Sequence, residues 1–154
     1  PLQMGTLSKA IGAYGGYLCA SAPVIDLMRN RARTLVYSTG LPPAIVAAAI
    51  AALDVIEREP DYSALPVQKA QAFTRKVGLP DAVSPIVPIL IGGEEDALAA
   101  SDMLANEGFL AAAIRPPTVP AGTARLRLTF TAQHPDDEIA RLAGLVRERI
   151  LARP

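Results

Sequence analysis

Apolar and polar positions repeat with two different periods in the second half of this chain. In Arg125–Ala132 the period is two: Leu126, Leu128, Phe130 and Ala132 fall on one side, Arg125, Arg127, Thr129 and Thr131 on the other. That predicts a strand with one buried face. From about Pro135 to Leu151 the period becomes helical, with Ile139, Leu142, Ala143, Val146 and Ile150 on one stripe. Asp136, Asp137 and Glu138 open this helix and Arg147, Arg149 and Arg153 lie near its end, as the helix dipole favours. Upstream, Ile86–Ile91 predicts a strand that Pro85 and Pro88 confine to a sheet edge. A helix from about Glu94 to Glu107 follows, with Ala97, Leu98, Ser101, Leu104 and Ala105 as its predicted inner face and Gly108 as its cap. Leu110–Ile114 predicts another strand.

The first half is patterned differently. Gly5, Gly12, Gly15 and Gly16 punctuate a loop ahead of Tyr17–Ala20, which predicts a short buried strand with Cys19 as a small buried residue. Pro23 and Asp26 open a short helix to about Arg31. Thr34–Thr39, rich in β-formers, predicts a strand stopped by Gly40 and Pro42-Pro43. Pro43 suits the first turn of an Ala-rich helix reaching about Arg58. Pro60 breaks that helix, and a further one is predicted from about Tyr62 to Val77. Beyond Gly78 and Pro80 the alternation of strand and helix marks a smaller α+β unit.

Composition narrows the function classes. Hydrophobic residues are 51% and charged residues 19% of the 154, enough apolar material for a core, which argues against a disordered tail. Fifteen basic residues balance fifteen acidic ones, so no net field favours nucleic acid or an anionic membrane. The longest apolar stretch, roughly Ala44 to Val55, is too short to span a bilayer. Cys19, the single cysteine, cannot form an internal disulfide. No signal peptide is read at the start, so a cytoplasmic location is expected. Pro1 is not an initiator methionine, and Pro1–Lys9 reads as the interior of a longer protein.

Three segments carry candidate chemistry. In Gly5-Thr6-Leu7-Ser8-Lys9-Ala10 a lysine sits in a loop of small residues. A desolvated lysine loses its proton more readily, and the neutral amine condenses with an aldehyde. Thr6 and Ser8 offer hydroxyls to a phosphate, although the spacing is not that of a Walker loop. In Tyr37–Pro43, Ser38 and Thr39 are expected at a strand end before a helix N-terminus, where they either bind an anion or cap the backbone. In the third, Arg125 and Arg127 face away from the strand's apolar side, either solvated or aimed at a carboxylate. His134, the only histidine, is read as a capping or structural residue, and Glu94-Glu95-Asp96 as the acidic start of a helix.

Taken together, Gly5–Tyr17, Tyr37–Pro43 and Arg115–Thr129 resemble, in order and over essentially the whole chain, the signature segments of the α-oxoamine synthases. These are fold-type I transferases that use pyridoxal 5'-phosphate (PLP). The resemblance implies an α/β fold, with residues 1–59 closing a large cofactor-binding domain and 60–154 forming a small α+β domain. It implies that Lys9 holds PLP as a Schiff base and that the Thr6 hydroxyl binds its phosphate. Ser38 and Thr39 are then expected to reach the phosphate of the cofactor in the neighbouring subunit of a homodimer. Thr118 is expected to line the substrate site and Arg127 to bind the amino-acid carboxylate, with Arg125 structural.

Tyr37–Pro43 and Arg115–Pro120 look most like members that condense L-alanine with a pimeloyl thioester, with Lys9 removing the α-proton. Members using glycine and another acyl-CoA are the nearest alternative. A non-enzymatic α+β ligand-binding domain built from residues 80–154 is the alternative of another class. About 200 further N-terminal residues are expected from the size of such two-domain enzymes. The chain alone is expected to be inactive and to bind PLP weakly.

Overall fold

In the computed structural model, which describes residues 1–152, the chain forms two units, Pro1–Pro60 and Asp61–Pro154. Arg153 lies outside the described residues.

The first unit opens with an antiparallel hairpin, β1 (Gln3–Thr6) and β2 (Gly16–Cys19), in which Gly5 faces Tyr17. Helix α1 (Ala22–Arg31) has Pro23 in its first turn and α3 (Pro43–Arg58) starts on Pro43, where a missing N–H costs nothing. Between them the predicted strand at 34–39 is instead a single helical turn, α2 (Arg33–Val36). The amides of Leu35, Val36 and Tyr37 bond back to Ala32 and Arg33, and Ser38 Oγ donates to the Leu35 carbonyl at 3.1 Å. A β-prone run needs a neighbouring strand for its backbone groups; without one, local bonds win. Cys19 and Tyr17 are exposed rather than buried, since no layer of this unit packs over the hairpin strands. Among the unit's described residues only Ala49 is buried.

The second unit contains the core. Helix α4 (Pro60–Val77) leads to the sheet strands β3 (Ile86–Gly92), β4 (Ala112–Ile114) and β5 (Ala124–Thr129), arranged β3-β5-β4 and all antiparallel. As Pro88 predicts, β3 is an edge strand. Helices α5 (Glu94–Asn106) and α6 (Asp136–Val146) complete the unit, and a π-helical turn at Arg147–Leu151 follows. Val87 and Ile89 of β3 and Leu126 and Leu128 of β5 point inward to Phe73, Leu104, Phe130, Leu142 and Val146. The Phe73 and Phe130 rings lie 5.2 Å apart. Each large side chain fully withdrawn from water here contributes about 1.5–3 kcal/mol.

The α6 stripe matches its periodicity: Ile139, Leu142, Ala143 and Val146 are buried. The α5 face is rotated from the expected one. Ala97, Ala100 and Leu104 are buried and Ser101 Oγ donates to the Ala111 carbonyl at 2.6 Å, whereas Ala105 is exposed and Leu98 is 38% exposed. A large apolar side chain at a helix surface is common, so size alone misplaces the stripe. Leu110, expected within a strand, is fully exposed ahead of β4.

Candidate functional site

Lys9 lies at the tip of the β1–β2 hairpin. The tip is closed by backbone bonds from Leu7 to Gly15 (2.9 Å), Ala13 to Leu7 (2.8 Å) and Gly12 to Lys9 (2.9 Å). Gly12 at φ +68° and Gly15 at φ +103° permit this path, which side-chain-bearing residues rarely follow. At Gly5 an added Cβ would come within 2.6 Å of the Tyr17 ring, so the absence of a side chain lets that ring lie across the strand pair. Lys9 Nζ donates to Thr6 Oγ1 at 3.3 Å and has no carboxylate partner among the described residues. The confinement expected for this amine is not supplied here: Lys9 is exposed at the hairpin tip.

Ser38 and Thr39 follow α2 and precede α3, both exposed. Leu41 packs over Gly15, at 2.9 Å from where a Cβ would stand, so their segment adjoins the hairpin. Ser38 caps the α2 turn in this structure.

In the second unit the two arginines of β5 differ. Arg125 is half-buried and its Nε donates to the Thr123 carbonyl at 3.0 Å. Arg127 is exposed and has no hydrogen-bond or ion-pair partner for its guanidinium among the described residues. A hollow of about 800 Å³ borders it, lined also by Ala112, Thr129, Phe109, His134 and Arg141. Nothing in the sequence pattern announced this hollow, because its walls come from β4, β5, α6 and the connections that precede β4 and follow β5. Thr118 lies in the β4–β5 connection, its amide bonded to the Arg115 carbonyl at 3.0 Å, and it does not line the hollow.

His134 is structural, as its position suggested. Its Nδ1 accepts the Thr131 N–H at 3.2 Å, and its carbonyl accepts Lys69 Nζ at 2.6 Å. Lys69 also pairs with Asp136 at 2.8 Å, which pins the turn after β5. No helix among the described residues is long and apolar enough to cross a membrane.

The hairpin fits an aldehyde cofactor that carries a phosphate: a primary amine free of a counter-ion, a threonine hydroxyl beside it, and glycines at 5, 12, 15 and 16 in the same hairpin. A separate strand presents an unpaired guanidinium. Residues 2–146 match the family described as aminotransferase class I and II, and the chain belongs to that family.

Among its relatives, a protein of Parvibaculum lavamentivorans named putative 8-amino-7-oxononanoate synthase is 70% identical over 99% of this chain and 39% of its own length. The 8-amino-7-oxononanoate synthase of Granulibacter bethesdensis is 69% identical over 96% of the chain and 38% of its own length. The chain thus spans about two-fifths of the length of these curated relatives. Among solved structures, Sphingomonas wittichii serine palmitoyltransferase superposes with a TM-score of 0.85 at 25% identity, over 95% of this chain and 38% of that one. The 8-amino-7-oxononanoate synthase of Francisella tularensis gives 0.83 at 24% identity, over 97% and 45%, a likeness of fold.

Proposed function

We propose that this chain is the lysine- and arginine-bearing portion of an 8-amino-7-oxononanoate synthase. The whole protein would join L-alanine to a pimeloyl thioester, releasing carbon dioxide and the thiol carrier. The observation that carries this reading is the 69% identity, across 96% of the chain, to a relative named 8-amino-7-oxononanoate synthase. The Lys9 amine, bonded to the Thr6 hydroxyl and without a carboxylate partner among the described residues, supports it independently.

In this reading residues 1–59 end the large cofactor-binding domain and 60–154 form the small one. The enzyme works as a cytoplasmic homodimer. PLP, when bound, accepts the electron pair left at Cα as the amino acid loses a proton or its carboxylate. Lys9 anchors the cofactor and, once its Nζ is free and neutral, takes the α-proton of the amino acid. Thr6 gives its hydroxyl to the phosphate, and Ser38 and Thr39 reach the phosphate of the cofactor held by the partner subunit. Arg127 holds the substrate carboxylate through two parallel N–H bonds, a geometry lysine cannot reproduce. Thr118 borders the substrate.

Assaying the full-length enzyme with L-alanine plus pimeloyl-CoA, against glycine plus succinyl- or acetyl-CoA, tests the reading. Turnover of the first pair is expected; a clear preference for either glycine pair replaces it with another α-oxoamine synthase.

A further inference from the structure

On the outer face of the second unit's sheet, Arg127 is paired with Pro88 of β3 on one side and Ala112 of β4 on the other. Residues directly opposed in an antiparallel pair share a face, with Cβ atoms about 4.5–5.5 Å apart. These two therefore flank the stem of the arginine, and all three are exposed. Pro88 is short and rigid and Ala112 offers one methyl, so the guanidinium stands clear of both. The neighbouring pair on the same face is built differently: Ile114 opposes Arg125, whose Nε is bonded to the Thr123 carbonyl. Arg127 and Ala112 also line the same hollow, so a longer side chain at 112 would fill space on one flank of the guanidinium.

A carboxylate gripped by both guanidinium nitrogens leaves its Cα one bond beyond the carboxyl carbon. Any substituent on that Cα is drawn against whatever flanks the arginine. We propose that Ala112 is a specificity-determining residue: its short side chain sets the room for the amino-acid side chain beside Arg127 and admits the methyl of L-alanine. This rests on Arg127 holding the carboxylate, and the experiment separates the two.

The test uses the full-length, PLP-loaded enzyme and the variants Ala112→Val, Ala112→Leu, Ala112→Gly and Arg127→Gln. L-alanine and glycine are compared by kcat/KM with pimeloyl-CoA and by calorimetric binding without acyl donor. Valine and leucine shift the alanine-to-glycine ratio toward glycine by about tenfold or more, the range one methylene commands in a substrate pocket. Binding of L-alanine weakens in step, and the melting temperature stays put, since position 112 is exposed on an edge strand. Ala112→Gly moves the preference the other way, raising L-serine relative to L-alanine several-fold. Equal losses for both amino acids, or unchanged ratios in all three variants, overturn the proposal. If Arg127→Gln binds L-alanine as tightly as the unaltered enzyme, the carboxylate reading of Arg127 itself fails, whatever position 112 does.

Discussion

The two units of this chain are similar in apolar content and opposite in what they do with it. In residues 61–152, Phe73, Ile89, Leu104, Leu126 and Val146 are all but removed from water, and three helices share one core with a three-stranded sheet. In residues 1–60, by contrast, Met4 is 82% exposed and Ile50 56%, and α3 is apolar nearly all round its axis. The amine read as reactive belongs to the unit without a core. Its surroundings therefore have to come from other protein surface, and the rest of a longer polypeptide and a second subunit are the source proposed here. The second unit, with its own core, supplies a rigid strand on which Arg127 can be aimed. One unit brings the chemistry and the other the precision of position.

Substitutions that separate chemistry from stability sharpen this contrast. Replacing Lys9→Ala in the full-length enzyme is expected to lower kcat by about 10²–10⁴-fold or more while leaving the melting curve of the apoprotein unmoved. Phe73→Ala should do the reverse in kind, costing about 3–5 kcal/mol of unfolding free energy in a denaturant titration. The matching truncation Ile50→Ala in the isolated chain should stay within about 0.5 kcal/mol, since Ile50 is already in water. Equal losses at both positions would erase the distinction between the units. Thr6→Val removes one hydroxyl from the lysine's side and is expected to weaken PLP retention about tenfold, read by equilibrium dialysis.

The smallest effect belongs to the exposed pair Arg75–Asp81. Hydrogen bonds from the guanidinium hold the Asp81 carboxyl below its ordinary range. A depressed folded-state value means the contribution is present above the unfolded pKa of about 3.9 and is lost as pH falls through the folded one. Asp81→Asn should therefore slightly lower stability above about pH 4, neutrality included, and leave it unchanged at the acid end, so that the acid limb of the stability–pH profile flattens. Both side chains are more than half exposed, so the change will be slight.

Legibility from sequence followed the same division. The β5 alternation and the α6 stripe were readable because their neighbours lie within the chain, so period and burial agree: Leu126 and Leu128 inward, Arg127 outward. The edge position of β3 followed from Pro85 and Pro88. In the first unit the run at 34–39 carries strand residues yet coils, and Cys19 is apolar in context yet exposed, because propensity expresses itself only against a partner surface. On α5 the error was one of rotation, with Leu98 mistaken for a core position. Of the candidate site, the closeness of Thr6 to Lys9 was foreseeable from their spacing of three. The freedom of Arg127 beside a bound Arg125 was not, since alternation places both on one face and only tertiary hydrogen bonding tells them apart.

Which amine meets the cofactor decides between these outcomes. The full-length protein, incubated with PLP, reduced with borohydride and mapped by peptide mass spectrometry, is expected to carry the pyridoxyl group on Lys9. Modification of Lys69, which is bonded to Asp136 and the His134 carbonyl, or of Lys76, with Lys9 left unmodified, would contradict it.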